Sequence, residues 1–404
     1  MKNLKNTLKP LMLLLLIGFA FTSCSSDDGP LTEEPPQGNN PTVLLECNSF
    51  QTNNADAILV LENINNDVDY IIDCVMSVSI DLKIEPGVVI EFSDAAGMKV
   101  TESGSINAIG SQSNPISFSG RSKAKGAWKG IMVSSESLSN RFDYVTMEYA
   151  GDGGLTSNSE PASLILTRDT YFRLNNVTIK NSSNNGIAAT AFDYDVEINN
   201  TIINNCNIPL YADTNIVSDI SGGDFTGNTI DVIRLSAGQD GSITTTQTWK
   251  TLSVPYRTAD DIVIKNGAQL TLEPGVILEF EDSKGLELDK LFNEGSALIA
   301  VGTPTNPITF TGVTKAPGAW KTLSIQRSSS VLNKFDNVLI EYAGGAGAGG
   351  AIEMWVDPVL TVTNTTFKDI GACALYNRYD PTNPNLTENN NTLENVSGDY
   401  MCSN

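Results

Sequence analysis

The chain has 404 residues, with 47 acidic against 25 basic side chains and a formal net charge of −22. Phosphate backbones are bound by clustered lysine and arginine, so this balance excludes nucleic acid as a partner and disfavours anionic lipid surfaces. There is no histidine, which removes Ser-His-Asp and Cys-His catalysis and deprives zinc of its usual imidazole ligands.

Residues 1–23 read as a targeting segment. Lys2, Lys5 and Lys9 precede an apolar run over residues 11–21, well short of the roughly 20 residues that a membrane-spanning helix needs. The run ends in Phe21-Thr22-Ser23-Cys24, which resembles the lipobox of bacterial lipoproteins. That resemblance implies cleavage before Cys24 and lipidation of its thiol. Ser25-Ser26-Asp27-Asp28-Gly29 follows and is similar to the acidic export tag of Bacteroidota surface lipoproteins, which implies an outer-membrane protein displayed to the exterior. Residues 24–43, with Pro30, Pro35, Pro36 and Pro41 among polar neighbours, read as the lipidated cysteine and a flexible linker. No other stretch approaches a membrane span, so lipid is the expected anchor.

The rest of the chain is duplicated, with one copy expected over 44–240 and the second over 241–404. The motif EPGVxxEF occurs at 85–92 and again at 273–280. Asn114-Pro115-Ile116, Gly126-Ala127-Trp128-Lys129 and Glu148-Tyr149-Ala150-Gly151 return as Asn306-Pro307-Ile308, Gly318-Ala319-Trp320-Lys321 and Glu341-Tyr342-Ala343-Gly344. The offset drifts only from 188 to 193 residues. Repetition of this kind marks a stacked, quasi-one-dimensional architecture. Val88, Ile90 and Phe92 alternate with Glu91, and Val276, Leu278 and Phe280 alternate with Glu279. Such alternation marks half-buried strands. Within the first copy, Asn175-Asn176 and Asn199-Asn200 each precede a short β-branched run, 24 residues apart. Strand and turns recurring at that interval fit one coil of a parallel β-helix, with asparagine at left-handed turns and stacking between coils. At that period residues 44–404 would form roughly 15 coils, about 70 Å long at the ~4.8 Å strand spacing.

The order EPGVVIEF, GSINAIG, NPISFSG, GAWKGIMV and FDYVTMEYAG resembles the right-handed parallel β-helix lipoproteins of Bacteroidota, over most of residues 68–200 and 254–375. The resemblance implies an all-β solenoid built from two homologous halves, in a family largely without an assigned reaction. Five cysteines follow Cys24. Cys47 and Cys74 are 27 residues apart and Cys373 and Cys402 are 29 apart, about one coil in each case. Stacked positions fall inside the Cα window of a disulfide, so two end-capping bridges are expected, consistent with export through an oxidising compartment. Cys206 is expected as a buried free thiol.

Candidate sites are sparse. Asp193, Asp195 and Glu197 alternate with apolar residues, which places three carboxylates on one outward strand face about 6.5–7 Å apart. In this fold such faces serve polysaccharide lyases and hydrolases, but any acidic exposed strand gives the same pattern; Arg168 and Arg173 are the nearest cationic candidates. Trp128, Trp249 and Trp320 each open a Trp-Lys strand and read as core corners. Trp355 differs, since alternation turns it outward and its counterpart in the first copy is Thr167; it is a candidate for stacking on a sugar ring. Gly345, Gly347 and Gly350 match GxGxxG, but a strand rather than a helix follows, so no dinucleotide site is expected. No residue set is assigned to a metal, although the acidic excess is compatible with calcium as well as with plain solubility. These features lead to the expectation of a non-catalytic binding or adhesion module for extracellular polysaccharide. A β-helix lyase or hydrolase using Asp193, Asp195 and Glu197, and a purely architectural surface protein, are the alternatives.

Overall fold

The computed structural model describes residues 41–51, 57–64, 67–155, 160–167, 169–190, 195–236, 242–288, 295–379 and 383–403. Cys24, Arg168, Asp193 and the linker as far as residue 40 lie outside them. Residues 40–404 form one compact unit. It is a parallel β-helix of about 13 turns, in which every pairing between strands among the described residues is parallel. Each turn lays down three short strands, one on each of three faces.

The alternation read from the sequence sets which side chains enter the core. In Val89–Phe92, Ile90 and Phe92 are fully buried while Glu91 points out. Like positions stack directly: Tyr70, Ile90, Phe118, Met147, Ile179 and Ile203 are in register along one face. Burying each such side chain contributes about 1.5–3 kcal/mol. At the corner of the coil Trp128 stacks on Phe92 with ring centroids 4.0 Å apart and donates its indole N–H to the Glu148 carbonyl. Trp320 repeats this on Phe280 at 4.4 Å, with the Glu341 carbonyl as acceptor. Trp249 is buried too, against Tyr256. All three are core corners, as the sequence indicates.

The turns follow the asparagines. Asn176 and Asn200 hold φ of +53° and +47°, and Asn181 and Asn205 hold +60° and +53°, a left-handed conformation asparagine tolerates better than most residues. Asn205 also donates its side-chain amide to Asn181, one coil away, at 2.5 Å. In the second half Asn390 donates to Asn364 at 2.7 Å and Asn364 to Asp336 at 2.8 Å.

The coil count is lower than the expected 15 because the coil length varies. Ile187, Leu210, Ile233 and Tyr256 stack every 23 residues, but Met98, Ile131 and Leu164 stack every 33. The extra residues form loops at the corners, such as that around Leu138. Thirteen rungs at ~4.8 Å span about 58 Å rather than 70 Å.

One 13-stranded sheet runs through both halves, from Val75–Val78 to Thr392–Val396. The other two faces break near the junction: two seven-stranded sheets serve the first half, and a seven- and a six-stranded sheet the second. The duplicated motif does not keep its face across this break. Val89–Phe92 belongs to a flanking sheet, whereas its counterpart Ile277–Phe280 belongs to the long sheet. The second copy is therefore turned about the axis by one face, so equivalent surfaces point in different directions.

Disulfides Cys47–Cys74 and Cys373–Cys402 close the two ends, each with Cα atoms 6.1 Å apart. Cys206 is a buried free thiol. Removal from water pushes it up to about 11, against smaller opposing contributions from a Ser182 hydrogen bond and from Lys125.

Candidate functional site

A polar cavity lies on the outer face of the seven-stranded sheet of the second half. Three strands build its floor, Leu286–Leu288, Leu323–Gln326 and Gly350–Trp355, and a fourth, Cys373–Asn377, runs alongside. Alternation sends Leu286, Leu323, Ile352 and Leu375 inward. The residues between them, Glu287, Ser324, Glu353 and Tyr376, point out as one column. Gln326 and Trp355 form the next column, and Arg378 follows on the adjoining rung. All of these outward residues except Tyr376 line the cavity, which has a volume of about 230 Å³.

The glycine-rich segment 344–349 walls one side through Ala346, Gly347 and Ala348. It is tied down by Gly345 N–H to the Trp320 carbonyl at 2.9 Å and by Gly349 N–H to Glu353 Oε1 at 2.6 Å. Gly345 is required there, since a Cβ would lie 1.8 Å from the Gly318 carbonyl oxygen. A strand follows this segment, so its GxGxxG spacing does not open a helix.

Electrostatically the cavity is balanced. Lys321 Nζ sits 3.1 Å from Glu287 Oε1. Burial works to lower the Lys321 ammonium, but the Glu287 hydrogen bond and charge outweigh it and leave it raised. The Arg378 guanidinium lies 4.3 Å from the centre of the Trp355 ring, and Tyr379 stacks near the same indole at 6.0 Å. Trp355 is thus turned outward as the alternation indicates, but it is half-buried, with one ring face covered by Arg378. Gln326 is 7 % exposed, donates its amide to Ser324 Oγ at 3.0 Å, and has no partner for Oε1.

The equivalent face of the first copy is built differently: it is more apolar and only partly covered, with an open pocket of about 380 Å³ left beside Lys99, Glu102, Met132 and Ser134. There the corresponding column reads Lys99, Met132, Ile165 and Ala188. Leu155, from the loop that matches 344–349, packs with Met132, Ala162, Ile165 and Ala188 as a small apolar cluster outside the main core. In the second copy that loop is five residues shorter between Ala343 and Gly350 than between Ala150 and Ala162. It brings no leucine, and Ser324 and Glu353 replace Met132 and Ile165. Ser134 and Thr167, bonded to each other at 2.6 Å, stand where Gln326 and Trp355 stand. Of these residues, sequence reasoning singled out Trp355 alone. Glu287, Lys321, Ser324, Gln326, Glu353 and Arg378 were missed, although a copy-against-copy reading of outward positions would have found the apolar-to-polar exchange.

The carboxylates of the other candidate site are on the outer face of Asp195–Asn199. Arg173 bridges them, 2.7 Å from Asp195 and 3.2 Å from Glu197, and its guanidinium also lies over the Tyr171 ring at 4.0 Å. Asp219, unnoticed in the sequence, joins the group. Partial burial chiefly, then the charges of Glu197 and Asp195, hold its carboxyl above the usual range. Among the described residues, the one set of three metal-ligating side chains within 4.8 Å of one another is Cys47, Asp73 and Cys74. Its two cysteines are already joined as a disulfide.

No protein-family model matches the chain, and no solved structure does. A 70-residue stretch is 41% identical to Protein bark beetle of Drosophila melanogaster, covering 17% of this chain and 2% of that protein. The chain therefore spans about 2% of the length of that curated relative. No helix among the described residues is long and apolar enough to cross a membrane.

Proposed function

We propose that this chain is a lipid-anchored surface lipoprotein of the Bacteroidota β-helix type that acts as a non-catalytic binding module for extracellular polysaccharide. The observation that carries the reading is the cavity around Trp355. It combines an aromatic wall, two carboxylates, two cations and amide and hydroxyl groups on a rigid sheet. Such a mix of an apolar platform with a few oriented polar groups suits the ring faces and hydroxyls of a sugar. The leader and Cys24 supply the address, through their resemblance to lipoprotein signals. The acidic surface suits an exposed, soluble body.

Cleavage is the second reading, favoured by Asp219, whose raised carboxyl stands beside Glu197 as an acid beside a carboxylate would in a glycosidase. Arg173 weighs against it, because one guanidinium engages both Asp195 and Glu197 and leaves neither free as a base. The test is electrophoresis of the full chain, in detergent, through gels cast with single polysaccharides, alongside Trp355→Ala. Retardation by at least one polymer, weakened in the variant, is expected. Mobility unchanged by every polymer refutes the binding module, and shortening of the polymer by the parent but not by Asp219→Asn establishes the enzyme.

A further inference from the structure

We infer that the cavity on the second copy is a subsite for one uncharged, hydroxyl-bearing sugar ring, read by the side chain of Gln326, and that the duplication left each chain with one such subsite. The inference deepens the binding-module reading and rests on it.

Charge decides the class of ligand. The two carboxylates, Glu287 and Glu353, are matched by Lys321 and Arg378, so the cavity has no net positive charge to attract a uronate or sulfate. Glu287 is nearly buried and already engaged by Lys321 at 3.1 Å. An anionic ring brought against Glu287 and Glu353 meets like charges within a chain of net charge −22, and like charges at short range disfavour the ionised forms. A neutral ring carries no such penalty.

Gln326 decides the chemical group. A buried polar atom without a partner costs roughly 1–3 kcal/mol, so native interiors seldom keep one without a use. Gln326 Oε1 is such an atom at the floor of the cavity. It is shielded as the side chain stands, but the terminal torsion of a glutamine is broad and roughly two-fold, so a half-turn exchanges the two ends of the amide beside the cavity that Gln326 lines. A hydroxyl both donates and accepts, so it satisfies the amide in either orientation, whereas a carboxylate satisfies one orientation only.

Size and duplication decide the count. About 230 Å³ is below the roughly 300–1,000 Å³ of pockets that enclose drug-sized ligands, which suits one ring of a longer chain. On the first copy, Leu155 covers Met132, Ile165 and Ala188 of the equivalent face, and Ser134 and Thr167 satisfy each other at 2.6 Å in place of Gln326 and Trp355, so the pocket that stays open beside Lys99 offers neither an unpartnered amide nor an indole.

The test uses the full chain in detergent, titrated calorimetrically with oligosaccharides cut from neutral and from uronate-bearing polymers. It is repeated on Gln326→Leu and on Ser324→Ala, and the melting temperature of each protein is measured. The expected result is binding of neutral oligosaccharides with one site per chain, about tenfold weaker in Gln326→Leu, while the melting temperature of that variant is unchanged or higher. A structural glutamine would instead lower the melting temperature. Should Gln326→Leu not fold, the same loss of affinity in folded Ser324→Ala supports the site, and undiminished affinity overturns it. Binding of uronate oligosaccharides alone, two sites per chain, or equal affinity in Gln326→Leu each overturns the inference and leaves the binding module standing. No binding of any oligosaccharide or polymer removes both.

Discussion

Phe118→Ala puts the stacked core under direct strain. Phe118 is completely buried, sits in register between Ile90 and Met147, and lies 6.4 Å from the Phe92 ring and 5.6 Å from that of Phe142. Losing the transfer free energy of the ring costs about 2–3 kcal/mol. An interior rung cannot close over the space, because its neighbours are fixed by backbone ladders above and below. A residual cavity on the order of 100 Å³, at about 24 cal/mol per Å³, adds about 2 kcal/mol. The sum of about 4–5 kcal/mol is at the upper end for phenylalanine truncations. Leu138→Ser, at a side chain 77 % exposed in the same half, is the control and should change stability by less than about 0.5 kcal/mol. Guanidinium unfolding followed by circular dichroism gives both values from the shift in midpoint. Because repeat proteins couple neighbour to neighbour, amide exchange should accelerate most in the rungs next to Phe118. A loss under about 1 kcal/mol, or one no larger than that of the control, would refute the stacked-core account.

Four further outcomes follow from the ends and the titrating groups. Replacing Cys373 and Cys402 together by serine frees a 29-residue loop, which chain entropy values at about 3–4 kcal/mol; exchange should rise in the last rungs and leave Val75–Val78 unaffected. Cys206 should resist thiol reagents at pH 8 until the protein is unfolded, since its thiol titrates near 11. The sign of its linkage is fixed: between pH 9 and about 11 the unfolded chain loses this proton and the native chain does not. Stability relative to Cys206→Ser should therefore be constant below pH 9 and fall across that window. Asp219→Asn should raise the melting temperature at pH 7, where the parent bears the cost of an ionised carboxylate held above its usual range by partial burial, Glu197 and Asp195. The difference should shrink as the pH falls through the carboxylate range; a difference independent of pH would contradict the assignment.

How much of this was readable in the sequence depends on whether the information is local. Alternation at Ile90 and Phe92, asparagines at left-handed corners and the two cysteine pairs are each decided by a few neighbouring residues plus one coil of separation, and they emerge as read. Coil number was overestimated because the 24-residue interval at Asn175 and Asn199 holds only where corners are short. The one-face turn of the second copy is invisible in the motifs. It depends on how many strands the irregular stretch between Ser221 and Trp249 contributes to each face. The cavity is likewise non-local, since its make-up depends on a shortened loop that places no leucine over an outward column drawn from several coils. Trp355 was visible as an outward aromatic, but Arg378 on its ring was not, because the two meet through register between coils.

The account depends most on one unbroken parallel sheet that carries both copies, and an engineered crosslink across their junction tests it. Arg234 and Arg257 are in register on adjacent rungs of the long sheet, one before and one after the junction. Their Cα atoms, one strand spacing apart, fall within the window a disulfide requires. Arg234→Cys with Arg257→Cys, oxidised mildly in the native state, should yield an intramolecular bridge that adds no thiol on denaturation to those of the parent protein, Cys206 and any unlipidated Cys24. Two further thiols that stay titratable in the folded, oxidised protein would mean that the rungs do not stack through the junction, and the account would fail.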